Sequence, residues 1–206
     1  IMDTELEHKF FSFHWSQFLN LLEKVAFNDL DFRKPDYFKV VRNAVFNSCD
    51  GVNVKRLYNL TNKSKIRNYT GPDIFSDLAF NKEFSHFFIG GIEKVFNGLK
   101  SRIQETNSSN SFFYPTPFVE VEKFDYIKIS KLLNENNPDF IWVGLGAPKQ
   151  EIFMSLLLPY INRGLIIGVG AAFNFFSGEK KLRRAPLIFR KLSLEWLFRL
   201  FQEPKK

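Results

Sequence analysis

Three places in this sequence set glycine directly behind an apolar run: FIGG at 88–91, VGLG at 143–146 and GVGAA at 168–172. In an open α/β sheet ligands bind beyond the carboxyl ends of the strands, and glycine there lets a phosphate or ribose come up against the backbone. Gly90, Gly91, Gly144, Gly146 and Gly170 are therefore candidate ligand-binding positions. Singly, a glycine behind a strand is more often an ordinary turn. Three in one chain point to a shared nucleotide crevice. None completes G-x-G-x-x-G and no Walker A lysine motif occurs, so nicotinamide, flavin and NTPase readings gain no support.

Polar residues cluster around these turns. Behind VGLG the chain continues APKQE, where Pro148 favours a fixed turn or helix start and Gln150 offers a donor and an acceptor to a uracil or a sugar amide. Glu151 suits a ribose hydroxyl and equally suits the positive end of a helix dipole. Upstream, Arg67 precedes the triplet GPD, which ends at Asp73. An arginine fork neutralises a diphosphate and a carboxylate holds sugar hydroxyls, although a surface salt bridge accounts for either residue as well. The pair Asp50–Gly51 is, taken locally, a common turn.

The elements that must carry these residues alternate. Strand-like runs occur at 86–90, 111–114, 140–144 and 165–170, with helix-like stretches at 93–104, 126–134 and 149–160 between them. Short, continuously apolar strands separated by helices are the pattern of a parallel sheet buried on both faces. The expected fold is α/β: a Rossmann-like parallel sheet with helices on both faces and a C-terminal helical appendage. The Asn-, Ser- and Pro-rich stretches 106–110 and 114–117 read as connections within one domain. Residues 1–178 are expected to form that domain and 179–206 the appendage.

With 206 residues, 45% of them hydrophobic, the chain can bury a sizeable core. The 26 phenylalanines read as a compositional bias rather than a cofactor box. A single cysteine, Cys49, gives no disulfide framework and no multi-thiolate zinc site, which fits a reducing cytoplasm. His8, His14 and His86 lie far apart, so no metal and no other cofactor is expected. No signal peptide and no apolar run of membrane-spanning length is evident, so a soluble or peripheral protein is expected.

Net charge is +7, and from residue 178 onward nine basic residues stand against three acids. Clustered positive charge favours an anionic partner. No nucleic-acid-binding motif accompanies it. In LIFRKLSLEWLFRLFQ, at 187–202, arginines and a lysine are set among large aromatics, as in a helix lying at an anionic membrane surface. Packing of that face on the domain itself or on a second subunit of a homo-oligomer is the alternative.

The ordered series VGLGAPKQE at 143–151, VGAAFNFFSG at 169–178, RRAP at 183–186 and LEWLFRLFQEP at 194–204 resembles the C-terminal half of the WecG/TagA/CpsF glycosyltransferases. Asp50–Gly51, GPD and FIGG fit the rest, so the resemblance runs from about Lys34 to the C-terminus. It implies inverting transfer of an N-acetylhexosamine-type sugar from a UDP-sugar to a polyprenyl-diphosphate-linked acceptor, without metal, in teichoic acid, common antigen or capsule synthesis at the inner face of the cell membrane. It also implies Asp50 as the base that takes the acceptor hydroxyl's proton. Arg184, Arg190 and Arg199 become candidates for contacting diphosphate or membrane. Two features depart from the family pattern. Asn174 stands where the family has the Asp of FDF, an amide that hydrogen-bonds but carries no charge. The early Thr-x-Asn signature is also absent where expected, FFSFHWSQ at 10–17 standing nearest. Both departures leave open a catalytically silent member that binds nucleotide-sugar or lipid.

Overall fold

The computed structural model describes residues 69–106, 110–117 and 119–178, and outside these only 10–12, 40, 41, 43, 44, 46, 47, 55, 58–60, 185, 186, 188, 189, 198 and 201. Its centre is a parallel sheet of six strands: β1 (Phe10–Ser12), β2 (Phe46–Asn47), β3 (His86–Ile89), β4 (Ser111–Tyr114), β5 (Phe140–Val143) and β6 (Leu165–Gly168). Their order across the sheet is β2-β1-β6-β5-β3-β4. The four strands expected from the apolar runs are present, and β1 and β2 extend the sheet beyond them. At three and two residues, neither is long enough to show a periodicity of its own.

Among the described residues these α-helices accompany the strands: α1 (Gly71–Leu78), α2 (Glu93–Thr106), α3 (Tyr126–Asn136), α4 (Lys149–Leu157) and α5 (Ala172–Phe176). Side chains alternate across the strands and build two cores. On one face Phe87, Ile89, Ile141, Val143 and Ile166 meet α3 and α4 through Ile129, Leu133, Phe153 and Leu157. On the other Phe88, Trp142 and Ile167 meet α1, α2 and α5 through Phe75, Phe96, Leu99 and Phe173. Burial on both faces is why these strands read as unbroken apolar runs.

Phenylalanine is concentrated on the second face. The ring of Phe75 meets those of Trp142, Phe176, Phe173, Phe88 and Phe80 at centroid distances of 5.2, 5.2, 5.6, 6.0 and 6.2 Å. Tilted and edge-on pairs of this kind add attraction beyond the area they bury.

Helix ends are set by local chemistry. Thr70 and Asp73 form a capping box on α1, with Pro72 in its first turn. Asp125 caps α3 by accepting from the Lys128 N–H at 2.9 Å, and Asn137, left-handed at φ 46°, ends it.

The amino-terminal edge of the sheet is cross-linked. Asp139 accepts from the backbone N–H and hydroxyl of Ser85 at 2.9 and 2.8 Å and pairs with Arg163. Burial would raise the Asp139 carboxyl, but the Ser85 bonds and the Arg163 charge outweigh it and hold the group below its ordinary range. Beside it, fully buried His86 accepts at Nδ1 from the Trp142 indole at 3.1 Å and donates from Nε2 to the Asn81 carbonyl at 2.9 Å. Burial lowers its pKa, so this is a neutral histidine of fixed tautomer.

Candidate functional site

The register of the parallel strands decides where their loops emerge. Asn47, Ser12, Gly168, Val143, Ile89 and Tyr114 line up across the sheet as successive partners. All six strands therefore finish along one edge. Gly90–Gly91, Gly144–Gly146 and Gly170 leave from neighbouring positions on it.

Within that edge β3 and β5 are adjacent. The helix following β3 packs on one face of the sheet and the helix following β5 on the other. Two connections that part in this way open a crevice between them, the topological switch point of an α/β sheet.

Glycine is required here for measurable reasons. A Cβ on Gly90, whose φ is +117°, would lie 3.0 Å from the Gly144 carbonyl. A Cβ on Gly144 would lie 2.4 Å from the ring of Phe173. Gly146, at φ +78°, has nothing within 4 Å of its missing Cβ, so its loop faces open space. Gly91 and Gly170 also have positive φ, at 84° and 54°.

The polar residues of the crevice divide by burial. Gln150 and Glu151 are both 0% exposed. The Gly170 N–H donates to Gln150 Oε1 at 2.9 Å, and Gln150 Nε2 donates to Glu151 Oε1 at 2.8 Å. Lys149 turns outward, donating to the Val119 carbonyl with its ammonium 5.2 Å from the Phe124 ring centroid. It thereby ties the β4–α3 connection to the start of α4, which follows the cis peptide Ala147–Pro148.

Asp73 sits at the start of α1, its Oδ2 accepting from the backbone N–H of Thr70 at 3.1 Å and from the Thr70 hydroxyl at 2.6 Å. That helix start reaches the crevice: a Cβ on Gly71 would lie 2.9 Å from the Val169 carbonyl. Half-buried Asn174 lies on α5, which the Gly170 turn enters.

The structure thus brings Gly90, Gly91, Gly144, Gly146, Gln150, Glu151 and Gly170 to one edge, with Asp73 and Asn174 on helices that abut it. Asp50, Arg67, Arg184, Arg190 and Arg199 lie outside the described residues, although β2 ends at Asn47, just short of Asp50. Gly71 and Gly168 are the contributors the sequence reading passed over. A Cβ on Gly168 would meet the Gln150 amide at 3.2 Å, and the signal was the spare glycine inside each motif. Thr70 before Gly-Pro-Asp was likewise a legible helix cap.

The nearby phenols offer no proton at neutral pH. Burial and the hydrogen bond to Asp77 push Tyr69 up to about 12, and burial with the Glu122 charge pushes Tyr126 up to about 12. Among the described residues no three His, Cys, Asp or Glu side chains converge as metal ligands, and no helix is long and apolar enough to cross a membrane.

A family model described as "Glycosyl transferase WecG/TagA/CpsF family" matches residues 22–206. Over 173 residues, 82% of its length, the chain is 33% identical to the N-acetylglucosaminyldiphosphoundecaprenol N-acetyl-beta-D-mannosaminyltransferase of Bacillus subtilis (strain 168). It is 27% identical to the proteins of that name from Staphylococcus aureus strains MW2 and NCTC 8325, again over 82% of the chain. The chain spans 65% of the length of the first of these relatives and 66% of the others.

Proposed function

Because this chain belongs to the WecG/TagA/CpsF family of glycosyl transferases, we propose that it transfers an N-acetylhexosamine-type sugar from a UDP-sugar to a polyprenyl-diphosphate-linked acceptor. The observation that carries this reading is the glycine-lined crevice at the β3/β5 switch point, where a diphosphate can approach backbone N–H groups. The family's motifs supply all of its loops.

In this reading the acceptor hydroxyl oxygen attacks the anomeric carbon while its proton passes to the Asp50 carboxylate. The bond from that carbon to the UDP oxygen breaks, UDP keeps the electron pair, and the configuration inverts. Arg67 meets the diphosphate charge as it develops on the leaving group. Asp73 serves through the α1 start that it caps, and Asn174 offers an amide in place of the family's carboxylate. Residues 1–178 form the catalytic unit. The basic appendage 179–206 approaches the membrane and the acceptor's diphosphate through Arg184, Arg190 and Arg199. No metal takes part.

The test is release of UDP from a panel of UDP-N-acetylhexosamines and UDP-glucose, with a polyprenyl-diphosphate-sugar acceptor, for the wild type and Asp50→Ala. Acceptor-dependent release from one donor, insensitive to EDTA and at least about 100-fold slower in Asp50→Ala, is expected. Tight UDP-sugar binding with no release from any donor would favour the second reading, a silent nucleotide-sugar-binding partner, which the charge lost at Asn174 motivates.

A further inference from the structure

The crevice contains a buried polar pair joined by hydrogen bonds to the Gly170 turn. Gln150 and Glu151 are adjacent in sequence and both wholly buried. The Gln150 amide stands between two groups of opposite demand: the Gly170 N–H, which needs an acceptor, and the Glu151 carboxylate, which needs a donor. Only a neutral amide meets both, and only in this orientation, because a flip would set donor against donor and acceptor against acceptor.

The surroundings are shaped for that crossing. Gly168 leaves the room the amide occupies, since its Cβ would stand 3.2 Å from Gln150 Cδ and Nε2. On the other side of the same strand end, Gly71 of α1 packs against the Val169 carbonyl. The turn from β6 into α5 is held from both faces of the sheet, by backbone packing on one and by the amide on the other.

We propose that Gln150 is a positioning residue: its amide relays the buried Glu151 carboxylate to the Gly170 N–H and so fixes the β6–α5 turn that walls the crevice. This rests on the reading that the crevice holds the UDP-sugar. It replaces direct contact between Gln150 and the sugar or base with action through the backbone of Gly170, where a displacement of about 1 Å is enough to cost roughly 100-fold in rate.

The pair permits a test by exchange of partners. Gln150→Glu keeps the acceptor for Gly170 but faces a second carboxylate across the 2.8 Å contact. Such a pair holds its geometry only while it shares a proton. In this variant the protection factor of the Gly170 amide, its exchange rate set against the intrinsic base-catalysed rate, should stay high at low pH and fall at least about tenfold as the pH rises, with transfer activity and UDP binding falling in parallel. In the double variant Gln150→Glu/Glu151→Gln the order of donors and acceptors is restored. High Gly170 protection, its independence of pH, and activity should all return.

Two results overturn the proposal: a double variant no better than Gln150→Glu alone, or loosened Gly170 exchange with wild-type transfer and UDP binding. A wild-type protein that transfers from no donor defeats the transferase reading separately. Gly170 exchange and UDP binding in the two variants then still decide the relay.

Discussion

Two glycines two residues apart separate packing from conformation. At Gly144 an added methyl would overlap the ring of Phe173 at 2.4 Å, so Gly144→Ala is expected to lose about 2–3 kcal/mol of stability, read as a lower urea midpoint. At Gly146 nothing is near, but φ is +78°, so Gly146→Ala costs only about 1–2 kcal/mol. Because its loop lines the crevice, the proposed function has that variant lose UDP binding out of proportion to stability, measured by titration calorimetry. His86 gives a pH prediction. Its folded pKa lies below the ordinary 6.5, so under acid conditions the unfolded chain takes a proton that the folded one refuses. Its contribution is whole above about pH 6.5 and is lost as pH falls from there through the lowered value. The drop in Tm between pH 7.5 and 5.5 should be smaller in His86→Gln than in the wild type. Asp139 adds its own loss only in the carboxylate range, since its pKa is lowered from 3.8. At this scale the sequence showed which glycines gather but not which neighbours need them bare. The Phe173 ring that forbids a methyl at 144 arrives from a distant helix.

Among the described helices, α2 and α5 pack closely. A Cβ on Gly98 would stand 2.2 Å from the Ser177 carbonyl oxygen, a backbone atom that moves only with its helix. Gly98→Ala should therefore force α5 outward at a cost of about 3 kcal/mol, lowering Tm by about 6–12 °C. It should also shift Phe173, and with it the crevice wall at Gly144, so on the proposed function UDP affinity falls too. Which elements were legible follows from their length and burial. The strands β3 to β6 and the helices α2 to α4 carry long apolar periodicities and match the runs read from the sequence to within a few residues. The helix α1 was hidden because Gly-Pro-Asp reads first as a loop, although Thr70 and Pro72 are helix-start signals. The short α5 was hidden because three phenylalanines crowd its five residues and leave no polar face to set a period.

At the scale of the molecule, charge and sheet order each act as a whole. The basic excess beyond residue 178 is expected to bring the protein to anionic liposomes at low salt, with on the order of 1 kcal/mol per cation near the surface. Flotation should be lost in high salt or on neutral vesicles. Among the few described residues of that segment, Ile188 and Phe201 are 69% and 74% exposed, while the rings of Phe189 and Phe198 meet at 5.6 Å. The parallel sheet itself could be read from alternating runs, but the order β2-β1-β6-β5-β3-β4 could not, because strand neighbours are chosen by packing between residues far apart in the chain. That order also divides labour between the two rims of the sheet. One rim is locked by Ser85, Asp139, Arg163, His86 and Trp142, and the other is built of glycine turns. On the proposed function, a lineage carrying this architecture can retune donor choice through heritable changes at the glycine rim while the locked rim keeps the scaffold intact. Evolvability is thus built into the polarity of the strands.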